Sequence, residues 1–325
     1  MTQLIPSYVP HNKMHTVRNI IIISALLLLL TLSNKGDTES DTHPLWERLR
    51  AQFLMSQSTE YAARVKYHVQ RYKRHPEQLQ AMAKRAMPYL QHIVTEVEKR
   101  GLPGELALLP MIESAFNPKA RSPKGAGGLW QIMPRTGRHL GITVNSGYDG
   151  RFALVDSTDA ALNYLEYLNA RFKGNWSHSL AAYNAGEGRI EQAIRRNYRA
   201  GKKTGFADLA LPKETKDYVP KLLALAEIVA HPEKYNIVLP DAQSAPKTMT
   251  VAIKHPMSFV RIAELAQMSV QEIKKLNPAY RTLSALPAKG VHRLLMPMNN
   301  AKLFLKQMAR IKLYALSRIK RNFVI

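Results

Sequence analysis

Apolar side chains recur at spacings of three and four residues between positions 75 and 101, which predicts a long amphipathic helix. The stripe consists of Leu79, Met82, Ala86, Leu90, Ile93 and Val97. His75 and Pro76 precede the stripe, and Gly101 followed by Pro103 ends it. Proline near the start and glycine just past the end are the usual limits of a helix.

Apolar spacing changes character near residue 246. Before it, helical patterns dominate and strand patterns are nearly absent; the predicted helices are residues 104–116, 129–140, 157–172, 177–184, 187–197 and 213–230. After a linker at 240–247, the pattern predicts a strand at 248–253, short helices at 259–267 and 270–276, and a strand at 293–296. The sequence therefore predicts a mainly α fold followed by a small α+β module.

Length and charge narrow the choice of partner. The chain has 325 residues, enough for about two domains. It carries 47 Lys+Arg against 24 Asp+Glu, a formal net charge of +23. Such a charge favours an anionic neighbour, which could be nucleic acid, a phospholipid surface or an acidic polymer of the cell envelope. The absence of cysteine excludes disulfides, thiolate metal sites and a cysteine nucleophile.

The pattern at the N-terminus helps to choose among these anionic partners. An apolar run at residues 20–32 follows Lys13 and Arg18 and precedes a polar stretch at 33–37, the layout of a secretory signal peptide. The run is shorter than the ~20 residues of a typical membrane-spanning helix, although an uncleaved membrane anchor and a buried core helix remain alternatives. Export favours lipid head groups or the cell wall over nucleic acid, for which no zinc-finger, RNP or basic-zipper motif occurs.

Glu113 is the first candidate for chemistry. It is the only ionisable residue in the stretch 106–117, and on a helix it shares a face with Leu106, Leu109 and Phe116. A carboxyl group on an apolar face loses solvation, which raises its pKa and favours the protonated acid near neutral pH. A general acid for a glycosidic oxygen needs this property. The structural alternative is a buried glutamate paired with Arg or Lys.

A second candidate is the glycine-rich segment at residues 122–134. It packs three glycines into four positions and then presents Trp130, Gln131 and Met133. Glycine lets a ligand approach the backbone closely, and Trp or Gln side chains can stack on or hydrogen-bond to a sugar. The segment is no phosphate loop, because it lacks both Gly-Lys-Ser/Thr and GxGxxG. An ordinary turn between helices is the alternative.

A third cluster, at residues 181–188, combines small residues with Tyr183 and Asn184. Small residues permit close helix packing, which is the structural alternative here. In this order the three clusters resemble the lytic transglycosylase (SLT) domain of the goose-type lysozyme superfamily. The resemblance lies in Glu113-Ser114, Gly-Leu-x-Gln-x-Met-Pro at 128–134 and Ala-Ala-Tyr-Asn-Ala-Gly at 181–186. The wider stretch 71–240 is similar to the D-type membrane-bound lytic transglycosylases.

The resemblance implies a mainly helical, lysozyme-like catalytic domain acting on peptidoglycan in the bacterial envelope. The expected divisions are a signal peptide or anchor at 1–36, a helical region at 37–100, the catalytic domain at 101–240, a small module at 247–298 and a basic tail at 299–325. The expected location is the periplasm, with the protein associated with a membrane. No metal or organic cofactor is expected, and the sequence leaves the oligomeric state open.

Members of this family are lyases that cleave the β-1,4 bond between N-acetylmuramic acid and N-acetylglucosamine without water. The resemblance makes Glu113 the single catalytic residue, acting first as acid and then as base, and leaves a 1,6-anhydro-muramoyl end. It makes Ser122, Gln131 and Met133 contacts to the sugar or its acetamido group. It places Tyr183 beside the catalytic carboxylate as its support, with Asn184 next to it.

The spacing of acidic residues agrees with a mechanism that uses one carboxylate. No Asp or Glu lies between Glu113 and Asp149, whereas an ordinary glycoside hydrolase needs a second carboxylate. Asp156 or Glu187 could still fold back towards Glu113. The alternatives are therefore a hydrolytic lysozyme-type muramidase and a non-catalytic peptidoglycan-binding protein.

Residues 262–278 resemble the centre of a LysM peptidoglycan-binding repeat, within a β-α-α-β unit over 249–298. The unit departs from the LysM pattern at residues 255–258, where His-Pro-Met-Ser replaces the usual Gly-Asp-Thr-Leu. Glycan binding and a purely structural function are both open for this degenerate module. The tail from Ala301 contains seven Lys and Arg side chains and no acidic residue, and its sequence could form a helix. It predicts either a basic helix on an anionic membrane or a solvated end.

Overall fold

A computed structural model describes residues 44–55, 61–241, 247–282, 286 and 291–322. The apolar run at 20–32, and with it the predicted signal peptide or anchor, lies outside these residues. Within the described ranges, no helix is both long and apolar enough to cross a bilayer.

Three helices open the described chain: α1 (Leu45–Ala51), α2 (Ala62–Arg74) and α3 (Pro76–Lys99). Helix α3 confirms the predicted stripe, and its inward face buries Leu79, Ala86, Leu90, Ile93 and Val97. Helix α2 was not predicted, because only Val65, His68 and Val69 are buried along its length, and three positions make a weak pattern.

Six further helices build the region around Glu113. They are α4 (Leu109–Ser114), α5 (Pro134–His139), α6 (Leu154–Arg171), α7 (Trp176–Ala185), α8 (Glu187–Arg199) and α9 (Lys213–Ala230). Short 3₁₀ turns precede, join or follow them at Gly104–Leu108, Gly150–Phe152, Phe206–Asp208 and Pro232–Tyr235. The prediction of a mainly α fold is confirmed.

Two predicted helices are shorter than expected. The segment 104–116 begins as a 3₁₀ turn and ends at Ser114, because Ala115 and Phe116 adopt left-handed conformations with φ of 50° and 55°. Phe116 is fully buried, but not as part of the helical face predicted for Glu113. The segment 129–140 is helical only from Pro134, because Gln131 is also left-handed, with φ of 47°.

The C-terminal module has the predicted β-α-α-β order: β1 (Thr248–Ile253), α10 (Phe259–Ala266), α11 (Val270–Leu276) and β2 (His292–Pro297). The strands pair antiparallel, with Val251 opposite Leu294. Ser258 caps α10 by accepting from the amide of Arg261, and Ser269 forms a capping box with Glu272 at the start of α11. These local signals explain why the pattern predicted this module well.

The basic tail is a helix, α12 (Met298–Asn322). Its first turns belong to the core of the C-terminal module, because Ala301 and Phe304 are buried there and Met308 packs against them. Part of the helix predicted to lie on a membrane therefore serves internal packing. Further along, Leu305, Ile311, Leu313 and Tyr314 are exposed.

The described residues form two hydrophobic cores that exchange side chains. The larger core joins α1 to α9, and a smaller one fills the C-terminal module. Phe152, from the 3₁₀ turn before α6, is buried in the smaller core, and Leu295 of β2 is buried in the larger one. Each part of the chain thus contributes a side chain to the interior of the other.

Candidate active site

Glu113 lies in the last turn of α4, half-buried above the larger core. The hydroxyl of Tyr218, in α9, donates a hydrogen bond to its Oε1 atom. Burial raises the pKa of Glu113 to about 7; the bond from Tyr218 opposes that rise, and the negative charge of Glu214 adds to it. Among the described residues Glu113 forms no ion pair, which contradicts the structural alternative of a glutamate neutralised by Arg or Lys.

Glu105 provides a contrast eight positions earlier in the chain. It is 2% exposed, and its carboxylate accepts hydrogen bonds from the backbone amides of Leu54, at 3.2 Å, and Met55, at 2.9 Å. Burial raises its pKa as well, while these amides oppose the rise. Glu105 therefore ties the segment after α1 to the core, which is a structural function.

The glycine-rich segment forms a compact loop closed by its own backbone. Ser122 donates its amide to the carbonyl of Ala126 at 3.0 Å, and the Ser122 hydroxyl accepts the Ala126 amide at 3.0 Å. The amides of Gly127 and Ile132 bond to each other's carbonyls at 3.1 Å. We call residues 121–133 the glycine loop.

Within the glycine loop, the side chains of Gln131 and Trp130 both donate hydrogen bonds to other groups of the protein. The Gln131 amide nitrogen donates to the carbonyls of Gly128, at 2.9 Å, and Ala120, at 3.3 Å. Trp130 is fully buried, and its indole nitrogen donates to the Thr158 hydroxyl at 3.1 Å. Stacking of Trp130 on a sugar was therefore a wrong expectation, because its ring belongs to the core.

Side-chain hydroxyls of two neighbouring helices also donate hydrogen bonds to the glycine loop. The hydroxyl of Ser114, next to Glu113, donates to the carbonyl of Leu129 at 2.9 Å. The hydroxyl of Tyr183, near the end of α7, donates to the carbonyl of Trp130 at 2.9 Å. The loop is thus fastened both to the helix that carries Glu113 and to α7.

Tyr183 was expected to support the catalytic carboxylate, but its hydroxyl forms a hydrogen bond elsewhere. Its hydroxyl binds the loop, whereas Tyr218 binds Glu113. Tyr183 still lies near Glu113, since burial and then the Glu113 charge raise the pKa of Tyr183. Asn184, beside it, accepts a hydrogen bond from the Thr215 hydroxyl at 2.9 Å, which orients its amide.

Four of the six predicted site residues line one cavity of about 390 Å³: Gln131, Met133, Tyr183 and Asn184. Glu187, which accepts a hydrogen bond from Tyr164 at 2.8 Å, lines it as well. Ser122 and Glu113 are outside its lining. The volume is within the range of about 300–1,000 Å³ that ligand pockets usually have.

Two family models match the chain. The model of the transglycosylase SLT domain matches residues 91–206, and that of the lytic transglycosylase MltD LysM-like domain matches residues 247–313. The chain carries the SLT domain of the lytic transglycosylases. The predicted fold class, a helical lysozyme-like domain with a small LysM-like module, is confirmed.

Three relatives of this SLT chain illustrate the similarity. It is 41% identical over 238 residues to membrane-bound lytic murein transglycosylase D of Escherichia coli K12, which covers 73% of the chain and 52% of that protein. It is 37% identical over 116 residues to the soluble lytic murein transglycosylase of the same strain, covering 34% and 18%. An inactive mutant of the lytic transglycosylase Slt from Pseudomonas aeruginosa, solved by X-ray methods, is 30% identical, covering 44% and 24%, with a TM-score of 0.34.

Most of the chain aligns with membrane-bound lytic murein transglycosylase D, but the chain spans only about half the length of that protein. All six predicted site residues lie inside the SLT match, whereas Tyr218 lies beyond its last residue. Sequence reasoning assigned no function to Tyr218, because its hydroxyl reaches Glu113 from 105 positions away. Only the presence of a tyrosine inside the apolar pattern of 213–230 hinted at an inward polar group.

The described residues contain no group of three or more His, Cys, Asp or Glu side chains arranged to hold a metal ion. The site combines one carboxyl group with a pKa of about 7, the tyrosine hydroxyl bound to it and the cavity lined by Gln131, Met133, Tyr183 and Asn184.

Proposed function

We propose that this chain is a peptidoglycan lytic transglycosylase that cleaves the β-1,4 bond between N-acetylmuramic acid and N-acetylglucosamine without water. The observation that supports this best is the state of Glu113: half-buried, bonded to Tyr218, and with a pKa of about 7. A carboxyl group with such a pKa is partly protonated near neutral pH and can both give and take a proton.

In the first step the protonated Glu113 gives its proton to the glycosidic oxygen. The bond from that oxygen to C1 of the muramoyl residue breaks, and N-acetylglucosamine leaves with a free 4-hydroxyl group. The positive charge that develops at C1 is stabilised by the substrate's own 2-acetamido group. Glu113 is left as a carboxylate, and Tyr218 can still donate its hydrogen bond to it.

In the second step the Glu113 carboxylate takes the proton of the muramoyl C6 hydroxyl. The C6 oxygen bonds to C1 and closes the 1,6-anhydro ring, so no water is consumed. Glu113 is again a neutral acid, and the cycle balances. A single carboxyl group therefore suffices when its pKa lies close to the working pH.

Substrate contacts are proposed for the other predicted residues. Gln131, Met133, Tyr183 and Asn184 share the 390 Å³ cavity, and Met133 is 41% exposed, which leaves its thioether accessible to an acetamido or sugar group. Ser122 would contribute from the outer part of the glycine loop. We propose that these five side chains bind the glycan beside Glu113.

Glu187 supports one competing mechanism. It lines the same cavity, so a hydrolytic muramidase could use it as a second carboxylate. Mass spectrometry of the products separates the two chemistries, because an anhydro-muramoyl end is lighter than a reducing end by one water. In a transglycosylase, Glu187→Gln keeps anhydro products; in a hydrolase that relies on Glu187 the same change abolishes cleavage.

The test of the proposal is digestion of purified sacculi by the Glu113→Gln variant. Glutamine keeps the size of the side chain but cannot donate or accept the catalytic proton, so cleavage should stop while the chain stays folded. Glu233→Gln, which changes an exposed carboxylate in the turn after α9, is the matched control and should digest sacculi like the unchanged chain. Undiminished digestion by Glu113→Gln would overturn the assignment of Glu113 as the catalytic acid and base.

We also propose that the protein works in the cell envelope, on the periplasmic side of a membrane. The apolar run at 20–32, with its basic flank, supports export. Helix α12 supports contact with anionic lipid, because Ile311, Leu313 and Tyr314 are exposed next to Arg310 and Lys312. Peptidoglycan glycan strands are the proposed partner.

A further inference from the structure

The C-terminal module meets the rest of the chain along a short backbone ladder. The amide of Asp149 donates to the carbonyl of Ala279 at 2.9 Å, and the amide of Arg281 donates to the carbonyl of Gly147 at 2.8 Å. Tyr148 and Tyr280 pair between these two bonds, with their ring centroids 4.9 Å apart. The segment after α11 is therefore joined to residues 145–149 through the main chain.

Arg281 strengthens this contact with its side chain. Its guanidinium donates to the carbonyl of Asn145 at 3.1 Å and to Oδ2 of Asp149 at 2.7 Å. The Asp149 side chain is 1% exposed, whereas that of Arg281 is 39% exposed. A module residue at the surface thus supplies a charge to a carboxylate that is buried in the catalytic part.

Asp149, which binds Arg281, also forms an ion pair with Arg151. Its two carboxylate oxygens accept from Nε of Arg151 at 3.0 Å and from Nη2 at 2.9 Å, a two-pronged ion pair away from water. Burial alone would raise the pKa of Asp149, but the hydrogen bonds from Arg151 and Arg281 outweigh it and lower the pKa. The carboxylate therefore stays charged and holds both guanidinium groups.

Arg151 in turn holds the glycine loop. Its remaining nitrogen, Nη1, donates to the carbonyl of Gly125 at 2.8 Å and to the carbonyl of Ile132 at 3.2 Å. These carbonyls lie seven positions apart, on the two arms of the loop that carries Ser122, Gln131 and Met133. One guanidinium thus fixes the distance between the two arms.

We propose that the C-terminal module positions the glycine loop, through the chain Arg281–Asp149–Arg151, and that these three are positioning residues for glycan binding. The module's degenerate LysM pattern at 255–258 agrees with a structural function, since this chain of contacts uses residues 279–281 instead. The effect on catalysis rests on the function proposed above, whereas the effect on the loop does not.

The first experiment measures amide hydrogen exchange of residues 121–133 in the full chain. Arg281→Met removes the charge but keeps the bulk at a partly exposed site, so the fold should survive. Opening of the loop should become easier, with exchange faster on the order of tenfold. Arg261→Met is the matched control, because Arg261 pairs with Glu264 inside α10 at 2.9 Å, and it should leave the loop unchanged.

The second experiment measures steady-state cleavage of soluble glycan strands. Arg281→Met should raise KM on the order of tenfold with a much smaller change in kcat. The pH at which activity declines should stay the same, since Glu113 keeps its surroundings. Arg281→Lys, which keeps a charge beside Asp149, should lie between Arg281→Met and the unchanged chain in both experiments.

Unchanged exchange in the loop of Arg281→Met, or equal acceleration in Arg261→Met, overturns the proposal. So does a lower thermal stability of Arg281→Met with exchange and KM both unaltered, since that marks an ordinary packing contact. If the unchanged chain cleaves no glycan at all, the proposed function fails, but the exchange experiment still decides whether the module holds the loop.

Discussion

The hydroxyl of Tyr218 donates a hydrogen bond to the carboxylate of Glu113, 105 positions earlier in the chain. Burial of Tyr218 and the nearby Glu113 charge raise the pKa of its phenol well above the usual value, so the tyrosine stays a donor throughout the neutral range. The bond favours the charged form of Glu113, while burial and then Glu214 favour the neutral form. The proton affinity of Glu113 is therefore set by opposing effects that can be changed one at a time.

Replacing Tyr218 by Phe removes the group that favours the carboxylate. The pKa of Glu113 should rise above about 7, so the decline of kcat/KM on the alkaline side should move to higher pH. The maximal rate should fall by on the order of tenfold or more, because the carboxyl group loses its orienting bond. The measurement is a pH–rate profile of sacculus digestion, and an alkaline limb that moves to lower pH contradicts the assignment.

Glu214→Gln should have the opposite effect on the same limb. Glu214 is exposed, and its negative charge adds to the rise in the pKa of Glu113. Removing that charge should lower the pKa and move the alkaline decline to lower pH, with the maximal rate nearly unchanged. Added salt should shrink the shift because it screens exposed charges. A limb that does not move in low salt would show that Glu214 acts too far away.

Glu113 should also make stability depend on pH. Burial raises its pKa in the folded chain to about 7, above the pKa of a glutamate in the unfolded chain, so its contribution to stability is fully present below the unfolded pKa and is lost as the pH rises through 7. Glu113→Gln escapes this loss. In denaturant titrations, the free energy of unfolding of the variant should therefore gain on that of the unchanged chain by on the order of 2 kcal/mol between pH 5 and pH 8.5; an equal difference at both pH values would contradict the raised pKa.

Gly128 should tolerate no side chain. Its φ is +78°, and a Cβ atom there would lie 1.9 Å from the carbonyl oxygen of Arg151. Gly128→Ala should destabilise the fold by on the order of 3 kcal/mol or more in denaturant titrations. Gly188→Ala is the control, because a Cβ in α8 meets nothing within 4 Å, and it should be neutral or stabilising by up to about 1 kcal/mol.

Helix α12 should prefer anionic lipid. The double change Arg310→Gln with Lys312→Gln should weaken binding of the full chain to phosphatidylglycerol vesicles by on the order of tenfold, because each basic residue near the surface contributes about 1 kcal/mol. Neutral phosphatidylcholine vesicles should show no such loss. Lys274→Gln with Lys275→Gln removes the same charge from α11; an equal loss in this control would indicate a general charge effect instead of binding through α12.

Elements with complete local patterns were predicted well. Helix α9 has the predicted limits, Lys213 and Ala230, and α11 has the predicted limits, Val270 and Leu276. In both cases apolar spacing and the flanking residues agree. The prediction of one helix over 104–116 was wrong at its end, because Ala115 and Phe116 form a left-handed turn. Residues other than glycine rarely adopt this conformation, so the sequence pattern did not predict the turn.

The sequence predicted which residues belong to the site better than it predicted their hydrogen-bond partners. Motifs pointed to Glu113, Gln131 and Met133, but hydrogen-bond partners depend on how distant helices pack. The sequence therefore missed that the hydroxyl of Tyr218 bonds to the carboxylate while that of Tyr183 bonds to the glycine loop, and that the Trp130 ring faces the core.

Successive residues of β2 serve different interiors. Leu294 and Met296 fill the small core, while Leu295 between them enters the large one, as the alternation of side chains along a strand allows. Asn277 fastens Leu295 by bonding to both its amide and its carbonyl, at 2.7 and 2.9 Å. The module is consequently not interchangeable, because a replacement module would have to supply a leucine that fills the same position in the larger core.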